Sequence, residues 1–206
     1  RHQWTAGTTE TGSRKGIIVR TSIPAFGYRQ IRIRAGEPQN AMPGVSAAGN
    51  SIENEFLKLT IHESGSIDLL DKENGIEVFR GTSSGCRAVV IDDPSDTWSH
   101  DIKSFSKEIG SFGNAVTKTL ETGPLRGIIR SVSKYGNSTL TIDWILYAGI
   151  RTIEAKVSLN WNEKLKMIKF SFPVNVESPA ATFETSYGFI RRKANGDEDP
   201  GQRWID

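Results

Sequence analysis

An all-β, antiparallel fold is what this sequence predicts, and three observations predict it. Apolar residues recur with a period of two over long stretches. Those stretches are punctuated by short turns bearing Gly, Asn or Pro. No amphipathic stretch of helical period reaches the length of about ten residues that an ordinary helix needs.

The first stretches are short. Residues 17–19 and 28–33 read as a two-stranded unit joined through Ile23-Pro24-Ala25-Phe26-Gly27. Two strands alone are marginal in water, so this unit packs on something larger or ends a preceding domain. Next come small and polar residues, with Pro38 and Pro43 among them, which is linker chemistry. Leu57, Leu59 and Ile61 then alternate with Lys58, Thr60 and His62. A turn at Glu63-Ser64-Gly65-Ser66 leads into residues 67–70. A second turn at Asp71-Lys72-Glu73-Asn74-Gly75, whose Asn-Gly favours positive φ, leads into residues 76–79. Residues 88–91, 125–132 and 182–190 read as further strands.

The longest alternation is in the second half. Leu140, Ile142, Trp144 and Leu146 share one face; after Gly149, so do Ile153, Ala155, Val157, Leu159 and Trp161. Past Asn162-Glu163, Ile168, Phe170, Phe172 and Val174 share a third. Three such runs in succession predict an antiparallel meander. Residues 163–169 are rich in helix formers, but their flanks make them a turn entering a strand. The domain boundaries expected are 1–36, the end of a small β domain; 37–51, a linker; and 52–206, the main β domain, with both ends abrupt enough to suggest a piece of a longer chain.

Composition excludes several classes. The 206 residues hold 26 Lys plus Arg against 24 Asp plus Glu, a net +2 with mixed signs, too small for a nucleic-acid or anionic-membrane partner. No run approaches the roughly 18 apolar residues of a membrane helix, and no secretory signal opens the chain, which sets a cytoplasmic expectation. One cysteine, Cys86, allows no internal disulfide, and three histidines leave little for a metal centre.

Four groups of residues could carry chemistry. The acidic clusters Asp92-Asp93-Pro94-Ser95-Asp96 and Asp197-Glu198-Asp199-Pro200 offer carboxylate pairs of the kind that sugar hydrolysis uses, or turn acids holding Asx-turns. Asp96-Thr97-Trp98-Ser99-His100-Asp101 sets an indole, an imidazole and carboxylates in one polar loop. Trp98 either stacks on a sugar ring or folds back on the sandwich. His100 beside Asp101 has the look of an oriented base, with no nucleophile nearby. Arg191-Arg192-Lys193 follows the 183–190 strand and suits carboxylate or sugar hydroxyl groups, or is a solvated strand end. His62 falls on a polar phase, and His2 reads as terminal disorder. Asn137-Ser138-Thr139 matches a glycosylation sequon too common to decide anything.

Ile52-Glu53-Asn54-Glu55-Phe56, leading through Gly65-Ser66-Ile67 to Leu70-Asp71-Lys72-Glu73-Asn74-Gly75, resembles the opening of the C-terminal β domain of glycoside hydrolase family 38 α-mannosidases. Further pieces follow in the family's order: Asp96-Thr97-Trp98, Glu121-Thr122-Gly123-Pro124-Leu125-Arg126, Leu146-Tyr147-Ala148-Gly149 and Val157-Ser158-Leu159-Asn160-Trp161. Then come Tyr187-Gly188-Phe189-Ile190-Arg191-Arg192 and Asn195-Gly196-Asp197-Glu198-Asp199-Pro200-Gly201-Gln202-Arg203-Trp204. Ile23-Pro24-Ala25-Phe26-Gly27-Tyr28 resembles the end of the small β domain before it.

The resemblance implies a galactose-mutarotase-like supersandwich preceded by the remnant of a small β domain. It implies a parent enzyme that is an exo-acting, retaining, zinc-dependent α-mannosidase releasing terminal α-linked mannose. The family's zinc ligands and aspartate nucleophile lie in an N-terminal α/β domain, and none matches here. The implied role is therefore a fragment with no catalytic residue and no metal site, inactive alone, bracing that missing catalytic domain. By the same resemblance Trp98, His100, Arg191 and Arg192 would line the pocket rim and meet a mannose-containing oligosaccharide. The alternative is a free-standing carbohydrate-binding module, suggested by five tryptophans in an all-β chain. A cut sandwich also leaves an apolar face and edge strands uncovered, so association into a homo-oligomer is expected.

Overall fold

The computed structural model describes residues 2–6, 15–32, 44–81, 85–96, 98–100, 102 and 104–206. Among them there are strands and turns and no helix, and every strand pairing is antiparallel. The expected all-β antiparallel class holds.

The strands in chain order are β1 (His2–Ala6), β2 (Lys15–Val19), β3 (Ser46–Ala48), β4 (Ser51–Glu53), β5 (Leu57–Ile61), β6 (Ile67–Asp71), β7 (Ile76–Glu77) and β8 (Arg87–Asp92). They continue as β9 (Glu108–Ser111), β10 (Gly113–Glu121), β11 (Arg126–Tyr135), β12 (Ser138–Tyr147), β13 (Ile153–Asn160), β14 (Lys166–Ser171), β15 (Ala180–Thr185) and β16 (Gly188–Lys193). One meander, β3-β4-β5-β6-β7, packs through β3 and β4 against a second, β10-β11-β12-β13. A three-stranded sheet, β14-β8-β9, joins the first meander where Ile67 bridges Cys86. The hairpins β1-β2 and β15-β16 complete the set.

The core lies between the meanders. Ile52, Leu59, Ile61 and Ile67 come from one side, Ile129, Leu140, Ile142, Trp144 and Leu146 from the other, with Cys86, Ala88, Val90 and Phe112 closing the end. Period-two alternation places them there. In β12, Ser138, Leu140, Ile142, Trp144 and Leu146 are all buried and the residues between them are not. Trp144 satisfies its indole N–H by donating to Ser131 Oγ at 3.1 Å. Gly127 on β11 is where the layers close tightly: a Cβ there would stand 2.7 Å from Val45 Cγ1.

Asn54 ties the layers together. Its Oδ1 accepts from the backbone N–H of Phe56 and Leu57, and its Nδ2 donates to the carbonyls of Tyr147 and Ile150. A buried amide with all four bonds made is a specific joint.

Several expectations need correction. The three-run meander stops after two runs: β13 pairs with β12, but β14 crosses to β8 in the other sheet. Glu163 anchors the crossing by accepting from Asn137 N and Ser138 Oγ, so the turn closes on the β11–β12 hairpin and not alongside β13. The turn-into-strand reading of residues 163–169 holds, with β14 beginning at Lys166. The stretch 182–190 is not one strand but the β15–β16 hairpin, turning at Ser186-Tyr187 with Tyr187 at φ 64°. Arg191, Arg192 and Lys193 accordingly lie within β16 and not beyond it. Residues 28–32 form no strand; β2 pairs instead with β1, in which His2 opposes Val19, so His2 is not terminal disorder. Residues 33–43, which include Ile33 and the first part of the expected linker, lie outside the described residues; the rest of it, 44–51, is not linker but runs through β3 into β4 and buries Val45 and Ala47.

Candidate functional site

The candidate site is built on the loop after β8. Asp92 N–H donates to Lys107 O, and Lys107 Nζ donates to Asp92 Oδ2 at 2.7 Å, which closes the loop at its base. Within it, Asp93 accepts from the Ser95 N–H and hydroxyl. Asp96 Oδ1 accepts from Trp98 N and His100 N, and its Oδ2 lies 2.7 Å from His100 Nδ1. These are Asx-turns, the turn-acid reading of the first acidic cluster. The His100 hydrogen bond, followed by the backbone N–H groups, holds the Asp96 carboxyl below its ordinary value.

This wiring displays Trp98 outward. It is 79% exposed, so the indole does not fold back on the sandwich. His100 takes Asp96 as its partner; Thr97 and Asp101, named with it in the sequence reading, lie outside the described residues.

The second acidic cluster is a clasp. Glu198 Oε1 accepts from Phe105 N at 2.9 Å and forms an ion pair with Lys169, whose Nζ also donates to Phe105 O. The Glu198 carboxyl is lowered, first by Lys169. Next to it, Arg192 donates to Pro200 O at 2.7 Å, faces Asp199 Oδ1 at 3.4 Å and stacks 5.0 Å from the Phe183 ring centre. The loop after β8 and the β16 strand are thereby joined through residues 198–200. Beside the join, a hollow of about 510 Å³ is lined by Asp92, Pro94, Ile102 and Phe105.

The four residues singled out from sequence therefore divide. Arg192 is spent on holding its own loop. Arg191, on the opposite face of β16, is exposed and makes no hydrogen bond or ion pair among the described residues. Trp98 and His100 share one exposed turn. Sequence reasoning missed Lys169 and Phe105, which carry no motif; only the pairing of β14 with β8 brings them to Glu198.

The chemistry available is recognition: an aromatic face, a free guanidinium and an imidazole backed by a carboxylate. His62 pairs with Asp68 and His100 with Asp96, each two ligands short of a tetrahedral zinc set. Cys86 is buried, which pushes its thiol up to about 12 and disfavours the thiolate a metal needs. Among the described residues no group of three His, Cys, Asp or Glu could hold a metal ion. The side chains of the described residues do not fit zinc.

Known proteins match this chain along most of its length. Alpha-mannosidase G of Dictyostelium discoideum is 27% identical over 197 residues, 86% of this chain but 18% of its own length. Mouse alpha-mannosidase 2C1 is 26% identical over 172 residues, 76% of this chain and 16% of its own. The chain thus spans under a fifth of these relatives. In structure, an alpha-mannosidase from Enterococcus faecalis V583 superposes with a TM-score of 0.63 at 14% identity, over 86% of this chain and 24% of that one. A glycosyl hydrolase family 38 protein from the same species gives 0.60 at 14%, over 81% and 23%. These two show the shared fold. Residues 52–206 match the model of the glycosyl hydrolases family 38 C-terminal domain, and the chain belongs to that family.

Proposed function

We propose that this chain is the non-catalytic C-terminal β portion of a zinc-dependent, retaining α-mannosidase that releases terminal α-linked mannose. The observation that carries this reading is the family match over residues 52–206 in a chain spanning 18% of an alpha-mannosidase relative. In this reading the nucleophile and zinc ligands belong to a catalytic domain outside the chain. The sandwich braces that domain, and Trp98, His100 and Arg191 reach the rim of its pocket. Arg192 holds the rim in shape without touching sugar. Residues 1–36 close a small preceding β domain, the stretch from 37 links it onward, and the mutarotase-like supersandwich of 52–206 takes in β3 at its start as well.

The test has two parts. The pure 206-residue chain should not hydrolyse an aryl α-mannoside, with or without added zinc; turnover would overturn the division of labour. In a longer polypeptide that carries this sequence and is active, Trp98→Ala and Arg191→Ala should raise KM more than they lower kcat, while inert variants would remove these residues from the rim. The exposed Trp98 indole also favours a second reading, a free-standing sugar-binding module. Calorimetry with mannose and mannan separates the two: saturable binding lost in Trp98→Ala supports the module, and flat titrations dispose of it.

A further inference from the structure

Beyond its base at Asp92, Asp93 and Lys107, the loop that displays Trp98 is tied to the rest of the protein at a single described residue. The Asx-turns at Asp93 and Asp96, with Ser99 N donating to Asp96 O and Ile102 N to Ser99 O, wire the tip to itself. Among the described residues from Pro94 to Phe105, the hydrogen bonds that leave the loop are both made at Phe105. Its N–H donates to Glu198 Oε1 at 2.9 Å, and its carbonyl accepts from Lys169 Nζ at 2.7 Å. The Glu198–Lys169 ion pair thus does for Phe105 what a neighbouring strand does for a ladder residue. Charge makes both bonds stronger than their neutral counterparts.

The segment carrying Glu198 is held from its other side. Pro200 O accepts from Arg192, and Asp199 faces the same guanidinium at 3.4 Å. Arg192 lies on β16 next to Arg191. The route from the indole to Arg191 therefore runs through Phe105, Glu198, Pro200 and Arg192, and Glu198 is the step that crosses from the loop to the strand.

We propose that Glu198 is the positioning residue of the rim: its carboxylate, paired with Lys169, sets the Trp98 loop against β16 so that the indole and Arg191 address one ligand from fixed places. The proposal rests on the rim reading above for its ligand, a mannose-containing oligosaccharide, but not for its geometry. A loop ordered in advance spares the binding step the cost of ordering it; a loop ordered only on binding loses about tenfold in affinity.

Spin labels on Trp98→Cys and Arg191→Cys measure the separation directly, with no sugar present. Native Cys86 is buried, its thiol pushed up to about 12, and takes no label. The labelled 206-residue chain should give one narrow distance. Adding Glu198→Ala should broaden it, Lys169→Met should broaden it as much, and the two together no further, because the pair acts as a unit. Circular dichroism should confirm an intact fold in each. In an active longer polypeptide that carries this sequence, Glu198→Ala should raise KM about tenfold and leave kcat within about twofold. A distance as narrow in both variants as in the labelled parent overturns the proposal, whatever the kinetics. A broadened distance with unchanged KM keeps the positioning role and removes the rim reading instead.

Discussion

β12 and β13 are hydrogen-bonded neighbours with the same alternation of apolar and polar residues, and they meet opposite fates. Every second residue of β12 from Ser138 to Leu146 is buried, whereas Val157 and Leu159 on the matching face of β13 stand in the open. The difference is what lies across the sandwich. β12 faces Ile52, Leu59 and the rest of the first meander. β13 is at the edge of its sheet among the described residues, and packs against the core at its start, through Ile153. Alternation states which face a side chain takes; it does not say that anything covers the face.

The largest expected effect breaks the comparison directly. Leu146→Ala, at a fully buried site, should lower unfolding stability by about 3 kcal/mol in a urea titration, whereas Leu159→Ala should cost under about 1 kcal/mol. Equal losses would mean that β13 is covered in solution. Asn54→Ala sharpens the joint beneath β12: leaving two carbonyls and two N–H groups unpaired should cost about 2 kcal/mol by the same measurement, and a neutral result would mean that water replaces the amide.

On the outer face the two strands with β11 carry a charged row. Arg130 grips Asp143 through Nε at 2.6 Å and Nη2 at 2.9 Å. That hydrogen bond first, and the Arg130 and Lys156 charges after it, hold the Asp143 carboxyl below its ordinary 3.8 against a desolvation that raises it. The ionised group therefore adds stability at pH above 3.8, and the contribution disappears as pH falls through the lower folded value. The urea midpoint of Asp143→Asn should accordingly fall less steeply below pH 4 than that of the parent. Parallel curves would assign the acid sensitivity to other carboxylates. The smallest effect is at Trp98, where Trp98→Ala should change stability by less than about 0.5 kcal/mol, because the indole is displayed and not packed; a larger loss would mean that it is buried in solution.

Much of the fold was legible. The runs at 57–61, 67–70, 140–146 and 153–161 were read from period and turns, and each is a strand. The β15–β16 hairpin was not, because Phe183 and Ile190 flank an uninterrupted stretch with no Asn-Gly or Pro in it. Gly188 after Tyr187 was the available cue. The site was less legible. Trp98 and Arg191 could be named by residue type, but not the division between Arg191 and Arg192, since neighbours on one strand point to opposite faces. Nor could Lys169 be tied to Glu198, because that ion pair exists only where β14 lies on β8.

Side-chain period, turn chemistry and ordered motifs are local properties of the chain. The sequence by itself therefore determined an antiparallel all-β domain, its main strands and the family it resembles. Tertiary structure alone decided that β14 leaves the meander for the three-stranded sheet with β8 and β9, that the acidic cluster at 197–199 closes a clasp, and that β13 is the last strand of its sheet among the described residues. Each of those depends on which distant strand arrives alongside, and that is fixed by packing across the sandwich and not by any neighbour in sequence.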